Sequence, residues 1–334
     1  MIEINGEYGS GSGTIIRLAM ALSCITKKPF KIKKIRAKRC EPGLSEQHLQ
    51  VVNSITELCN GKVRGNKLHS KELEFYPGKE LKNKLKVKIE TSGSIGLLLQ
   101  AVMLPCFFSE NNKTEIEIIG GGSLGKWSPN LLYTREVFLP IIEKMGFSVN
   151  LKIEKHGFYP KGGANVKIIV NKNKNVKSLK INERGKLLKI KSISLVSKKL
   201  KDKKVCERMN EYVKNNLDYE NIELVNEYVD TLSVGGGILI IAYFENTIIG
   251  WDALIDKNKK SEDVSKEAVD GFLKQINSKN VFDEYLSDQI LPYMAFCKEK
   301  SFFIGKINDH VETNIWLLKK FLDVKFKNGL IERN

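Results

Sequence analysis

The feature that most constrains this chain is an ordered alternation of apolar periodicities. It begins with a short strand, then a glycine-rich turn (Gly6, Gly9, Gly11, Gly13), then a helix on which Ile15, Leu18, Ala19 and Leu22 recur at helical spacing. Ser12 or Thr14 is the expected cap. A strand over 30–35 follows, then a loop with Pro42 and Gly43, then a helix from about Glu46 whose Leu49, Val52, Ile55 and Cys59 form one stripe. The same order returns further on: a strand at 86–90, a cap at Ser92 or Ser94, an apolar helix over 95–108, and a strand at 114–119. A second helix is then expected to open at Ser128-Pro129 and to end near Gly146. Phe75-Tyr76-Pro77-Gly78 is echoed by Phe158-Tyr159-Pro160-Lys161-Gly162-Gly163, which suggests a repeated unit of two helices on a sheet.

The character changes after Gly163. A strand at 165–170 runs into a stretch rich in lysine and asparagine, and 184–278 reads as an inserted small α/β domain. It has strands at 189–197 and 237–244 and helices at 205–216 and 261–276. Residues 1–183 and 279–334 then form the main body, with helices expected at 284–296 and 313–322.

With 334 residues the chain is long enough to bury a sizeable core, and its 42% hydrophobic and 28% charged residues place it among globular proteins. Lys and Arg number 55 against 39 Asp and Glu, a net charge of +16 that favours a polyanionic partner such as nucleic acid. Six cysteines (Cys24, Cys40, Cys59, Cys106, Cys206, Cys297) are scattered without a C-x-x-C pair and read as buried thiols. Together with the lack of a signal-like start, this suggests a reducing cytoplasm. The longest apolar run, 95–108, contains Gln100 and Pro105 and is too short to span a bilayer, so no membrane association is expected.

Four histidines differ in setting. His69 lies in a polar stretch, His156 precedes a turn, and His48 follows Gln47 at a helix start near Arg36, Arg39 and Pro42-Gly43-Leu44. His310 stands in Asn308-Asp309-His310-Val311-Glu312-Thr313-Asn314, before a helix that Thr313 is expected to cap; a helix N-terminus attracts phosphate. The turn Gly9-Ser10-Gly11-Ser12-Gly13 is neither a Walker A motif nor G-x-G-x-x-G, but its backbone can approach a phosphate closely. Arg17, Arg36 and Arg39 supply guanidinium groups able to bind phosphate oxygens in pairs.

These blocks, with Gln100 in its apolar helix, 156–163, Glu284-Tyr285-Leu286-Ser287-Asp288-Gln289 and His310 with Thr313-Asn314, resemble in order the signature blocks of the RNA 3′-terminal phosphate cyclases. The resemblance covers nearly the whole chain and is weakest in the insert. It implies an α/β (α+β) fold of three repeated units, each a four-stranded sheet backed by two helices, with the smaller inserted domain. It implies an ATP-dependent, ligase-type nucleotidyl-transfer enzyme of RNA processing, in which His310 attacks the ATP α-phosphate and becomes AMP-linked. AMP then moves to an RNA 3′-phosphate, and the vicinal 2′-hydroxyl closes a 2′,3′-cyclic phosphate. By the same resemblance Tyr285 and Pro129 sandwich adenine, Asp288, Gln289 and Gln100 lie near the nucleotide, and Arg17, Arg36, Arg39, Gln47 and His48 line the phosphate and RNA-end pocket.

One block departs from that pattern. Relatives read Asp-Gly-x-x-Gly-Glu-Gly-Gly-Gly-Gln, with the Glu near Mg²⁺ or Mn²⁺ and the triphosphate; here the chain reads Asn5-Gly6-Glu7-Tyr8-Gly9-Ser10-Gly11-Ser12-Gly13-Thr14. Ser10 stands at the carboxylate's place, and Glu7 is a candidate substitute. The competing readings are a non-catalytic cyclase-like protein acting in ribosome assembly, against which His310 argues, and an enolpyruvyl transferase of similar repeated units, whose carboxylate-binding motifs are missing.

Overall fold

A computed structural model describes residues 1–173 and 175–333. Strand β1 (Ile2–Asn5) leads through the glycine turn into α1 (Thr14–Thr26), followed by β2 (Phe30–Lys33), α2 (Glu46–Leu58), β3 (Lys62–Arg64) and β4 (Leu73–Tyr76). The sheet order is β1-β2-β4-β3, with β1 and β2 parallel and the other pairs antiparallel. A parallel pair needs a crossover, which α1 supplies.

The second unit repeats this plan. It runs β5 (Lys84–Ser94), α3 (Ile95–Cys106), β6 (Lys113–Gly122), α4 (Leu131–Tyr133), a π turn over Thr134–Phe138, α5 (Leu139–Lys144), β7 (Val149–Lys155) and β8 (Asn165–Asn171). The order is β5-β6-β8-β7, and again only the first pair is parallel.

Within 184–278 lie β9 (Leu187–Ser197), α6 (Val205–Asn216), β10 (Ile222–Val229), β11 (Gly236–Phe244), β12 (Ile248–Leu254) and α7 (Ser261–Ile276). They make a differently ordered sheet, β10-β9-β11-β12, with α6 and α7 closing a separate core around Met209, Ile240 and Phe272. Arg184 clasps the ends of this segment together. Its guanidinium donates to the carbonyls of Gln275, Ile276 and Asn280 at 2.8, 2.7 and 2.6 Å.

The third unit holds α8 (Glu284–Met294), β13 (Ser301–Phe302), α9 (Asp309–Phe321), β14 (Val324–Lys327) and β15 (Leu330–Arg333). Among the described residues its sheet has three strands, β13-β15-β14, where four were expected. The fourth is reduced to one parallel bridge between Lys180 and Phe302, because the chain leaves for the insert a few residues later. Lys180 nevertheless occupies the place of β1 and β5, so all three units share one strand order.

Several local expectations change. Asn130, not Ser128, caps the helical segment of the second unit, its Oδ1 accepting from Tyr133 N at 2.6 Å; Ser128 Oγ instead donates to the Gly125 carbonyl. Helix α9 starts at Asp309 under an Asn308 cap, four residues before Thr313. Phe75 and Tyr76 end the strand β4, while Phe158 and Tyr159 lie in the turn between β7 and β8, so the two tetrapeptides are not equivalent. Cys40 is exposed, whereas the other five cysteines are buried. No helix among the described residues is long and apolar enough to cross a membrane.

One hydrophobic core joins the three units. Helix α1 sits in the middle of it, touching α2, α3 and α9, which is why Ile15, Ile16, Ala19, Met20 and Leu22 are buried on several faces. Arg17 is the charged residue on this helix, and its position inside the body needs a chemical reason.

Candidate active site

One end of the site is built around the first turn of α1. Gly9 and Gly11 adopt left-handed φ values of 52°, a conformation glycine reaches without steric cost. This lets the turn fold onto α9: Ser10 N donates to Thr313 Oγ1 at 3.2 Å, and Tyr8 stacks on Trp316 with centroids 4.1 Å apart. A Cβ on Gly9 would collide with Thr313 Oγ1. His310, one helical turn before Thr313 and Asn314, therefore lies on the face of α9 that meets the glycine turn and α8. Its ring Nδ1 is buried without a hydrogen-bond partner, and burial, reinforced by Arg17 and Arg39, lowers its pKa below the ordinary histidine range. The imidazole is thus neutral at neutral pH.

His48 approaches from α2. Its Nδ1 lies 2.7 Å from Ser45 Oγ and accepts from Ser45 N at 3.3 Å, so Nε2 is the nitrogen left to face Gly13, where a Cβ would collide with it. Burial, then Arg17 and Arg36, push His48 down to about 3. The same added Cβ would lie 3.1 Å from Arg17 Nη1, so Gly13, Arg17 and His48 are mutual neighbours. Arg17 Nη2 donates to Thr14 Oγ1 at 2.9 Å, and burial lowers its pKa to about 10 although Asp288 opposes this. Asp288 is raised by burial to about 7 against the pull of Arg17. The two share a narrow cavity of about 40 Å³ with Gln100, Gln289 and Asn314. Asn314 Nδ2 donates to the Asp288 carbonyl at 2.8 Å, leaving its buried Oδ1 unpartnered.

The other end of the site is aromatic. Tyr285 stacks on Trp251 of β12 with centroids 4.5 Å apart and meets Tyr133 edge-on at 5.6 Å. Trp251 in turn lies over Gly271 of α7, where a Cβ would strike the indole. Asp283, fully buried, caps α8 and ties the parts together: it accepts from Tyr133 Oη at 2.7 Å, Leu286 N at 2.7 Å and Gly250 N at 2.9 Å. Burial still raises it to about 6. Pro129 packs its carbonyl against Gly96 at the start of α3, next to Asn130, whose side chain bonds Asp252 close to Tyr285.

The arginine loop lies at the rim. Arg36 takes a left-handed φ of 51° and donates to the Gly43 carbonyl at 2.9 Å, while Arg39 is exposed. Gln47 is half-buried, with an unpartnered buried Nε2. Glu7 pairs with Lys34 at 2.8 Å, and Ser10 Oγ with Ser12 Oγ at 2.8 Å. Among the described residues no group of three or more His, Cys, Asp or Glu is placed to hold a metal ion. His69 is exposed, and His156 is buried against Ser123 Oγ at 3.0 Å.

The structure thus gathers Arg17, Gln100, Asp288 and Gln289 around one cavity, with His48 and His310 at the Arg17 end and Tyr285 at the head of the same α8. Sequence reasoning missed Trp251 and Asp283 beside these residues, and quoted Asn314 only as part of the His310 block. The signal for Asp283 was its place directly before Glu284 as an Asp N-cap; Trp251 gave none.

Fold and site together define a protein of repeated α/β units with a cationic, partly buried pocket suited to phosphate groups. The sequence pattern of the RNA 3′-terminal phosphate cyclase family matches residues 8–328. Relatives named RNA 3′-terminal phosphate cyclase include one from Sulfurisphaera tokodaii, 38% identical over 98% of this chain and 96% of its own length. Another, from Pyrococcus furiosus, is 36% identical over 100% of this chain and 97% of its own, and one from Thermococcus gammatolerans is 35% identical over 98% and 94%. The chain belongs to the RNA 3′-terminal phosphate cyclase family of enzymes.

Proposed function

We propose that this protein converts an RNA 3′-terminal phosphate to a 2′,3′-cyclic phosphate at the expense of ATP, with His310 as nucleophile. The observation that carries the reading is a histidine kept neutral by burial, its Nδ1 unpartnered, with Arg17 and Arg39 close enough to lower its pKa further. An imidazole nitrogen attacks the α-phosphorus of ATP, the bond to the β-phosphate oxygen breaks, and pyrophosphate leaves. The resulting phosphoramidate passes AMP to an oxygen of the RNA 3′-phosphate. The neighbouring 2′-hydroxyl then attacks that phosphorus, losing its proton, and AMP departs. Covalent catalysis of this kind divides one difficult displacement into easier ones, because a phosphate monoester lacks a good leaving group until it is adenylylated.

Arg17 neutralises charge on the phosphates, and the N-terminus of α1 and the backbone of the glycine turn add partial positive charge there. Adenine lies beside Tyr285 with Pro129 near, and Asp288, Gln289 and Gln100 border the nucleotide. Arg36, Arg39, Gln47 and His48 receive the RNA end. Mg²⁺ or Mn²⁺ would enter with ATP and offset charge on its phosphates, an ion of this kind needing only one or two carboxylates besides.

The test is to incubate the protein with ATP and an oligoribonucleotide ending in a 3′-phosphate. The reading expects an ATP-dependent loss of phosphatase-sensitive phosphate, with AMP and pyrophosphate formed in equal amounts. An end that stays phosphatase-sensitive contradicts it.

A further inference from the structure

Away from the nucleotide cavity, the second unit and the insert face each other across a groove of about 1350 Å³. The loop 124–128 and the turn 158–161 form one wall, and insert segments 200–208, 232–236 and 254–261 the other. We propose that this groove holds a single-stranded stretch of the RNA lying 5′ of the terminal phosphate, with Trp127 and Tyr159 as stacking platforms for its bases. The inference extends the proposed reaction by giving its substrate a track and a preference for length.

Three observations carry it. Trp127 is 96% exposed and Tyr159 75% exposed, so two large aromatic side chains stand in water at the edge of one groove. Trp127 also has a left-handed φ of 56°, a costly conformation for a bulky residue, which turns it out of the body. Secondly, seven lysine or arginine side chains line the groove against one carboxylate, Asp256, which Lys126 pairs at 2.6 Å. Arg208 and Lys259 are matched by Glu262 and Glu267 outside it, but Lys161, Lys203, Lys257 and Lys260 have no ion-pair partner among the described residues. Unpaired cations beside exposed rings fit a sugar-phosphate backbone carrying unstacked bases.

Thirdly, the groove runs to the phosphate end of the site. Gln47 lines it and holds a buried Nε2 without a partner, and the next residue, His48, lies against Gly13 and near Arg17. A strand whose 3′-phosphate sits there has a continuous path outward over the aromatic edge. A duplex keeps its bases stacked inside and cannot use these rings, so the occupant is single-stranded.

Fluorescence anisotropy with 3′-phosphorylated RNA tests the track. Binding sites of this kind span about 4–16 nucleotides, so oligomers of about 2 and about 10 nucleotides bracket the groove. The wild-type protein should bind the longer one at least tenfold more tightly. Trp127→Ala and Tyr159→Ala should each weaken that binding by roughly 5- to 100-fold while leaving the dinucleotide unaffected. Because both rings are exposed, folding is not at risk. In Lys203→Ala combined with Lys260→Ala, the slope of log affinity against log salt should fall by about 1.4, for two lost contacts to a single strand. Equal affinity for both lengths, unchanged binding by both aromatic variants, or equally tight binding of a blunt duplex would overturn the proposal and leave the groove to a protein partner. Self-adenylylation by the same variants should match wild type. If the wild type itself fails to adenylylate, the proposed reaction is contradicted, while the binding comparison still decides the groove.

Discussion

At the end of the site proposed for the phosphates, side chains from three elements meet across backbone so close that Gly9 and Gly13 leave no room for a Cβ. At the end proposed for the base, Tyr285 leans on Trp251 and Tyr133 through ring contacts, one of them supplied by the insert. The first end is fixed by steric contact inside one repeated body and has no slack. The second is held by apolar surfaces that can slide, and it depends on two structural units staying together. Changes of volume should therefore matter most where His48 and Arg17 meet, and graded losses of contact should matter at Tyr285.

Gly13→Ala is the strongest challenge to this contrast. Gly13 has an ordinary helical backbone (φ −63°), so alanine strains no backbone there but displaces the His48 ring and crowds Arg17 Nη1 at 3.1 Å. Cyclisation should fall by about a hundredfold, as misplacement on the scale of 1 Å does elsewhere. A Gly13→Ala enzyme with near-normal turnover would show that the contact is loose.

At the base end the loss should be smaller and confined to nucleotide. Tyr285→Ala is expected to weaken ATP binding by about 1–3 kcal/mol, measured by titration, with little effect on RNA-end affinity. Trp251→Ala, which removes only the support behind that ring, should cost about 0.5–1.5 kcal/mol. An unchanged ATP dissociation constant in both would return these rings to packing alone.

Arg36 and Arg39 at the rim sharpen the comparison from outside. Lysine cannot reproduce the paired guanidinium contact, so replacing either should raise the concentration of 3′-phosphorylated RNA needed for half-maximal cyclisation and spare self-adenylylation. Equal damage to both steps would place them on the triphosphate.

The smallest effect is expected at Ser10. Ser10→Glu should lower the Mg²⁺ concentration for half-maximal adenylylation, because it adds a carboxylate beside the turn, whereas Glu7→Gln should change it little, since Lys34 already occupies that carboxylate. Poorer metal dependence in Ser10→Glu would show that the turn has no place for such a ligand.

Much of this was legible in the residues. The helices at 205–216 and 261–276 fall where the apolar spacing places them, and Arg17, Gln100, Asp288 and Gln289, which the sequence pattern singles out, line one cavity. Strand β7 alternates Val149, Leu151 and Ile153 with polar residues and was overlooked beside the louder helix pattern before it. Strand β12 gave less to read: Ile-Ile-Gly-Trp-Asp-Ala-Leu has no alternation, because both its faces meet protein. Trp251 was hidden for that reason. Asp283 was hidden for another, since a buried polar side chain is recognised by partners distant in sequence. The glycine turn showed its flexibility in the sequence, but not that α9 would lie against it.

The central claim is that His310 carries AMP, and incubation with α-labelled ATP, followed by acid treatment and mapping of label on the chain, tests it most directly. The account predicts acid-labile label at His310, none in His310→Asn, and more than half of the labelling retained as the pH falls to 6.5, because burial and the two arginines hold the imidazole below its ordinary titration range. Label retained by His310→Asn, or half the yield already lost at pH 6.5 or above, would contradict it.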